Sequence, residues 1–240
     1  MNTVLIEDKS RTKLVAHRGL SGIEQENTLP AFVAAGNRSY FGIECDVHVT
    51  RDGKYLVYHD DDTGRLCEQT LSLENRTAEE LRTLRMKEIG GAIFTDLLKI
   101  PYLTDYLAVC ARYDKTAVVE LKNPMHADHI ADIVRICGKT YDLDKIIFIS
   151  FCFENLVRVR KFNLGQEVQF LCNGYNSELL AQLRAFRFDL DIEYTALTKN
   201  IVSELHDAGV KVNCWTCDDR AAAEKLISWG VDYITTNILE

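Results

Sequence analysis

Three prolines, no apolar run long enough to cross a membrane and no excess of basic charge define this chain by what it has little of. With so few prolines, and no Pro/Ser/Gly-rich or low-complexity tract, nothing in the 240 residues reads as a linker. Residues 1–240 therefore read as a single domain. Without a spanning apolar stretch no membrane segment is expected. The first eight residues carry Glu7 and Asp8 where a signal peptide carries bases, and they lack a long apolar centre. The expected location is cytoplasmic. A net charge of −8 excludes a broad phosphate-backbone surface, so no nucleic-acid partner is expected. The eight cysteines are spread through apolar segments rather than gathered in a short loop-rich frame, which predicts buried, reduced thiols. Cys214 and Cys217 have C-x-x-C spacing, but no second such pair offers a zinc site, and no early strand–helix context makes them a redox motif.

Apolar residues make up 47% of the chain, ample for a core. Short β-branched runs alternate with helix-period segments, the pattern of repeated βα units. The strand candidates are Leu14–His17, Gly42–Asp46, Tyr55–His59, Thr116–Leu121, Lys145–Ile149, Glu167–Leu171, Phe188–Ile192, Val210–Cys214 and Asp232–Thr235. Helical patterns lie between them at Leu29–Ser39, Thr104–Tyr113, Ala127–Lys139, Glu154–Phe162, Ser177–Phe186, Lys199–Ala208 and Asp219–Trp229. One strand is too many for a closed parallel (β/α)8 TIM barrel. Asp52-Gly53 between two β-rich runs resolves the excess, because it predicts a hairpin whose second strand returns antiparallel and stands on the rim. A turn centred near Asp52 brings His59 opposite Asp46 or Cys45. Residues from Asp60 to Lys99 are too long for a βα connection and read as a small insertion over the barrel mouth, with a helix start near Thr77.

The chemistry concentrates at predicted strand ends, where active residues of such barrels sit. Glu44 and Asp46 lie two apart in the apolar strand Gly42–Val47, so both face the same way. Two buried acids on one face require neutralisation. Glu120 ends the next barrel strand and completes an oxygen-only set suited to a hard divalent cation, Mg²⁺ or Ca²⁺. Arg18 and Lys122 are fixed cations with no evident surplus of acids to absorb them, and they suit a phosphate ligand. His17 and His59 supply a base and an acid near neutral pH. Trp215, at the end of the seventh barrel strand, reads as a substrate wall, with core packing as its competitor. The set reads as phosphodiester cleavage. An ion-pair network among Glu44, Asp46, Arg18 and Lys122 is the competing plain reading. His48, His126, His129 and His206 read as solvated or helical residues, Asp60–Asp62 as an exposed acidic loop in which Asp60 could orient His59, and Asn27 as a helix cap or a support for the site.

The chain resembles the glycerophosphodiester phosphodiesterase family over almost its whole length. The resemblance rests on Ala16-His17-Arg18-Gly19, Glu26-Asn27-Thr28, Glu44-Cys45-Asp46-Val47, Thr50-Arg51-Asp52-Gly53 and His59-Asp60. It continues through Ile100-Pro101, Val119-Glu120-Leu121-Lys122, Ile149-Ser150-Phe151, Cys214-Trp215-Thr216 and the closing Gly230–Asn237. It departs after His59, where an Arg-Thr-Thr-Gly-like run is usual, and at Thr236-Asn237, where Thr-Asp is common. The resemblance implies a TIM barrel, a divalent metal on Glu44, Asp46 and Glu120, and His17 with His59 as the acid–base pair. It implies hydrolysis of a small-molecule glycerophosphodiester to glycerol 3-phosphate and an alcohol. A lysophospholipase D-like or cyclic-phosphate-forming enzyme on the same fold is the alternative, and a barrel that only binds a phosphorylated ligand is a third reading.

Overall fold

The computed structural model describes residues 2–240. In chain order its strands are β1 (Lys13–Ala16), β2 (Gly42–Val49), β3 (Tyr55–Val57), β4 (Met86–Lys87), β5 (Phe94–Thr95) and β6 (Thr116–Leu121). They continue with β7 (Ile146–Ser150), β8 (Glu167–Cys172), β9 (Asp189–Glu193), β10 (Val212–Trp215) and β11 (Tyr233–Thr236). Strands β1, β2 and β6 to β11 pair in parallel, each with the next, and β11 pairs back onto β1. The sheet is thus a closed (β/α)8 barrel. The helices are α1 (Leu29–Gly36), α2 (Ala78–Arg82), α3 (Leu103–Tyr113), α4 (Ala127–Thr140), α5 (Phe153–Phe162), α6 (Ser177–Phe186), α7 (Lys199–Asp207) and α8 (Arg220–Trp229). Among the described residues no helix is long and apolar enough to cross a membrane.

Strand periodicity sorts the side chains. On β2, Ile43, Cys45 and Val47 point outward into the main core against the helices, while Glu44 and Asp46 take the other face. Inside the barrel, Val15, Val118, Ile147, Ile149, Leu171 and Tyr233 form an apolar cluster. The Tyr106 hydroxyl of α3 donates to the Ile43 carbonyl at 2.7 Å, tying β2 to the helical layer. All eight cysteines are free thiols, most of them buried.

The hairpin forms as its turn residues dictate. Gly53 adopts φ 69°, Thr50 N–H donates to the Lys54 carbonyl at 2.8 Å, and Asp52 accepts from the Thr50 hydroxyl at 2.6 Å. The register pairs Val47 with Val57, and Tyr58 N–H donates to the Asp46 carbonyl at 3.0 Å. His59 accordingly comes level with Cys45. Regular strand structure ends at Val57, two residues short of expectation, while β2 runs three residues further, because the hairpin needs Val47 to Val49 as its partner. Strand β10 begins at Val212 rather than Val210, since Val210 N–H is still closing α7 on the Leu205 carbonyl. Helix α1 stops at Gly36, where Asn37 caps it.

A second apolar cluster joins Leu56 of the hairpin to the residues that follow it, including Tyr58, Leu66, Leu73, Leu81, Met86 and Ile100. Helix α2 starts at Thr77 with a reciprocal capping box to Glu80. Asp52 also accepts from Ala78 N–H at 3.0 Å, so one carboxylate ties the hairpin turn to this helix. Replacing Asp52 with Ala should cost about 1–2 kcal/mol in chemical denaturation, the scale of losing two such bonds at an exposed turn. An unchanged denaturation midpoint would show that the turn holds without them.

Candidate active site

Glu44, Asp46 and Glu120 each place a carboxylate oxygen within 4.8 Å of the others, and all three are buried. Adjacent strands arrange this, since Asp46 and Glu120 are register partners of β2 and β6. Asp46 is 1% exposed and lies behind the cavity wall. It accepts from the Asn27 side-chain amide at 2.7 Å and pairs with Lys122 at 3.4 Å and Arg18 at 3.5 Å. Burial pushes its pKa up, but Lys122, Arg18 and His59 outweigh that and hold it below the usual aspartate range. Glu44 and Glu120 go the other way. Burial and the neighbouring acids raise Glu44 well above its ordinary value, and burial with Asp46 raises Glu120 to about 7.

Arg18 and Lys122 do find acids, contrary to the expectation that they would be left over. Lys122 contacts Glu120 at 2.9 Å, and Arg18 contacts Glu26 at 2.8 Å while its backbone N–H donates to Glu44 at 2.7 Å. The acids nevertheless win the count. Glu26, Glu44, Asp46, Asp60 and Glu120 outnumber the fixed cations that contact them, Arg18, Lys122 and Arg65, even though His59 also pairs with Asp60, and this excess of acid suits a cation. An oxygen-only donor set with this surplus fits Mg²⁺ or Ca²⁺.

The two histidines have different partners. His17, just beyond β1, has Nδ1 2.8 Å from the Asn237 amide oxygen, which also accepts from Ser21 at 2.6 Å. Asn237 donates its amide N–H to Asp218 at 2.6 Å, which fixes the amide's orientation. His17 must therefore carry its proton on Nδ1, leaving Nε2 with a lone pair. Burial and then Arg18 lower its pKa to about 4. His59 has Nδ1 2.6 Å from Asp60, and Asp60 is itself held by Arg65 at 2.6 Å. Burial lowers the His59 pKa, with Asp46 acting against it. Arg65 also grips Glu26 through two bonds of 2.8 Å, so one guanidinium links the partners of His59 and Arg18.

His17, Arg18, Glu44, His59, Glu120 and Trp215 line one cavity of about 90 Å³ at the carboxyl end of the barrel. Lys122 reaches the cavity's edge through its contact with Glu120. Trp215 packs edge-to-face on Phe151, ring centres 5.6 Å apart, and both lines the cavity and packs against the apolar cluster inside the barrel. Motif reading missed Arg65, Asp218 and Asp191 as members of this region. It also misplaced His48, which is wholly buried in β2 with Nε2 3.3 Å from the His59 carbonyl. His126 caps α4, His129 lies on α4 and His206 lies on α7, as their surroundings suggested.

A closed parallel barrel with an acid cluster, two histidines and fixed cations at its carboxyl end is the framework of a phosphoric diester hydrolase. Residues 17–240 match the glycerophosphoryl diester phosphodiesterase family, and the chain belongs to it. YhdW of Bacillus subtilis strain 168 is 30% identical over 233 residues, 93% of each chain. A glycerophosphodiester phosphodiesterase of Caldanaerobacter subterraneus is 28% identical, covering 95% of this chain and 94% of its own. Among solved structures, a glycerophosphodiester phosphodiesterase from Parabacteroides distasonis aligns with TM-score 0.80 at 28% identity, across 96% of this chain and 94% of that one. An Oleispira antarctica phosphodiesterase, solved with its product sn-glycerol-3-phosphate, shares the fold with TM-score 0.86 at 24% identity, across 94% of this chain and 92% of that one.

The acid cluster makes a test of cation binding that needs no substrate. Glu120 keeps a proton in the folded state up to about pH 7 that the unfolded chain releases near its ordinary value of 4.5. The stability carried by that proton is complete below the lower value and is lost as pH rises through the upper one. The loss amounts to as much as about 3 kcal/mol. A cation bound at these acids would take the place of the proton, so the gain in thermal midpoint from Mg²⁺ or Ca²⁺ should grow as pH rises from 4.5 to 7. A gain of the same size at both ends would count against binding at these acids.

Proposed function

We propose that the protein hydrolyses glycerophosphodiesters to glycerol 3-phosphate and an alcohol, with residues 1–240 acting as one catalytic domain. The observation that carries this reading is the opposed pairing of two histidines on one cavity, one bonded to a neutral amide and one to a carboxylate. Glu44, Asp46 and Glu120 would hold the divalent cation, Mg²⁺ or Ca²⁺, which when bound polarises the phosphoryl oxygens. Names of relatives fit: besides the Caldanaerobacter protein, two further chains 27% identical to this one are named glycerophosphodiester phosphodiesterases.

The division of labour follows from the partners. His17 is neutral at physiological pH and presents an unprotonated Nε2, so it acts as the base that takes a proton from the attacking water. His59 has the Asp60 carboxylate on Nδ1, which stabilises its protonated form and suits it to protonate the departing alcohol. The bond to the alcohol oxygen breaks as the bond from phosphorus to the water oxygen forms, and one proton moves at each histidine. Arg18 and Lys122 supply positive charge for the phosphate, and Trp215 forms a wall against the substrate. A second reading has one specific support. Phe151, 46% exposed beside Trp215, extends an apolar lip that a lysophospholipid chain would cover. If attack comes from the substrate's own 2-hydroxyl, the product is a cyclic phosphate, which phosphorus NMR separates from glycerol 3-phosphate.

Chelation should abolish turnover and Mg²⁺ or Ca²⁺ should restore it, whereas full activity in excess chelator would remove the cation from the reaction. Glu44→Gln should lower cation affinity and turnover together while the far-ultraviolet circular dichroism stays unchanged. His17→Ala and His59→Ala should each lose about 10²- to 10⁴-fold in kcat on a glycerophosphodiester. A p-nitrophenyl leaving group needs little protonation, so it should rescue the His59 variant far more than the His17 variant. Equal defects on that substrate would reverse or dissolve the assignment.

A further inference from the structure

One carboxylate on the cavity has no role in the acid–base scheme. Asp191 sits in the middle of β9, between Leu190 and Ile192, which point outward into the main core. It therefore faces the barrel interior, where it lines the same cavity as His17, His59 and Glu120. Its register partners are Leu171 on β8 and Asn213 on β10. Asp191 is 1% exposed, and its Oδ1 has no hydrogen-bond partner. Buried polar groups are almost always paired, so an orphan on a cavity wall points to a ligand.

The surroundings narrow what that ligand offers. The polar side chains beside it are already committed to one another: Asn213 donates to Gln169 at 3.0 Å, and the Thr235 hydroxyl donates to Asn213 at 3.2 Å. No cation faces Asp191, and it stands outside the three-acid cluster. Burial, with Glu120 adding to it, pushes its pKa well above the ordinary value. An anionic phosphate is thus a poor match for this position, and a neutral hydroxyl is a good one, since it donates or accepts as required. On the neighbouring strand the Trp215 indole N–H is likewise buried without a partner and belongs to a residue of the same cavity. An acceptor and a donor on adjacent strands suit a polyol.

Resting on the phosphodiesterase reading, we propose that Asp191 is a specificity-determining residue that hydrogen-bonds the terminal hydroxyl of the substrate's glycerol moiety. The two ends of a glycerophosphodiester differ in what they require. The glycerol side is small and polar, which fits a wall built from Asp191 and Trp215 in a cavity of about 90 Å³. The alcohol side leaves, and the exposed Phe151 marks where the cavity opens. Either protonation state of Asp191 can bond a hydroxyl, the carboxylate by accepting and the acid by accepting or donating.

The test compares two p-nitrophenyl diesters, one of glycerol 3-phosphate and one of propane-1,2-diol phosphate, which lacks only the terminal hydroxyl. The wild-type protein with Mg²⁺ should favour the first by about 10- to 100-fold in kcat/KM, because the second leaves a buried acceptor unpaired. Asp191→Ala should collapse that ratio to within about threefold of unity, and Asp191→Asn, which keeps shape and one polar oxygen, should give an intermediate ratio. The Asn variant decides the matter if the Ala variant fails to fold. A structural role alone would lower both substrates in proportion and leave the ratio where it was. An unchanged ratio in the variants, or no preference in the wild type, overturns the assignment while the phosphodiesterase reading stands. Turnover of neither diester by the wild type overturns both.

Discussion

Three acids crowded into the mouth of a barrel repel one another and resist burial, and most of the surrounding architecture answers that one cost. Asp46 is kept ionised by an amide from Asn27 and by two cations, while Glu44 and Glu120 are pushed toward protonation. Asn27 reaches Asp46 from a left-handed turn at φ 54°, immediately before Thr28 caps α1. Arg18 likewise adopts φ 52°, which turns its backbone N–H onto Glu44 while its side chain goes to Glu26 and Asp46. Non-glycine residues hold such conformations where the surroundings compensate. Here two of them lie in one loop around one charge cluster.

The same loop separates the characters of the histidines. His17 is governed from the far end of the chain, through Asn237 and Asp218, because closing the barrel sets β11 beside β1. His59 is governed locally, through Asp60 and Arg65, because the hairpin and the segment after it bring those residues together. Burial lowers the pKa of both rings, but what stands behind them differs, a neutral amide in one case and a carboxylate in the other. Glu26 joins the halves by binding Arg18 on one side and Arg65 on the other.

What could be read from the sequence was whatever depends on short-range periodicity. The two-residue spacing of Glu44 and Asp46 fixed a shared face, and Asp52-Gly53 fixed a turn, from which the register brought His59 level with Cys45. Long-range side-chain pairing left no such trace. Arg65 was hidden because its value lies in partners at Glu26 and Asp60 that only the folded insertion supplies. His48 looked like a solvated residue, since one polar side chain in an apolar strand resembles an outward position until β3 and the segment beyond cover it. Asp191 sits in an alternating run, Asp189-Leu190-Asp191-Ile192-Glu193, that reads as an ordinary half-exposed strand. Only barrel closure turns its polar face into an interior. Strand ends shifted by one to three residues wherever a helix end or the hairpin claimed the intervening backbone, as at Val210 and Val49.

The separate apolar cluster behind the hairpin has a consequence for how this enzyme fails under heat. The barrel core and the insertion core are distinct groups of buried side chains, and Asp60 and Arg65 belong to the segment stabilised by the smaller one. Small cooperative units open at lower free energy than the structure as a whole. Fraying of that segment withdraws the carboxylate behind one histidine and the guanidinium shared with Glu26, while the eight-stranded barrel, its three acids and the other histidine stay in place. Loss of the insertion and melting of the barrel are then separate events, and a protein that still looks folded has already lost the groups that stand behind His59.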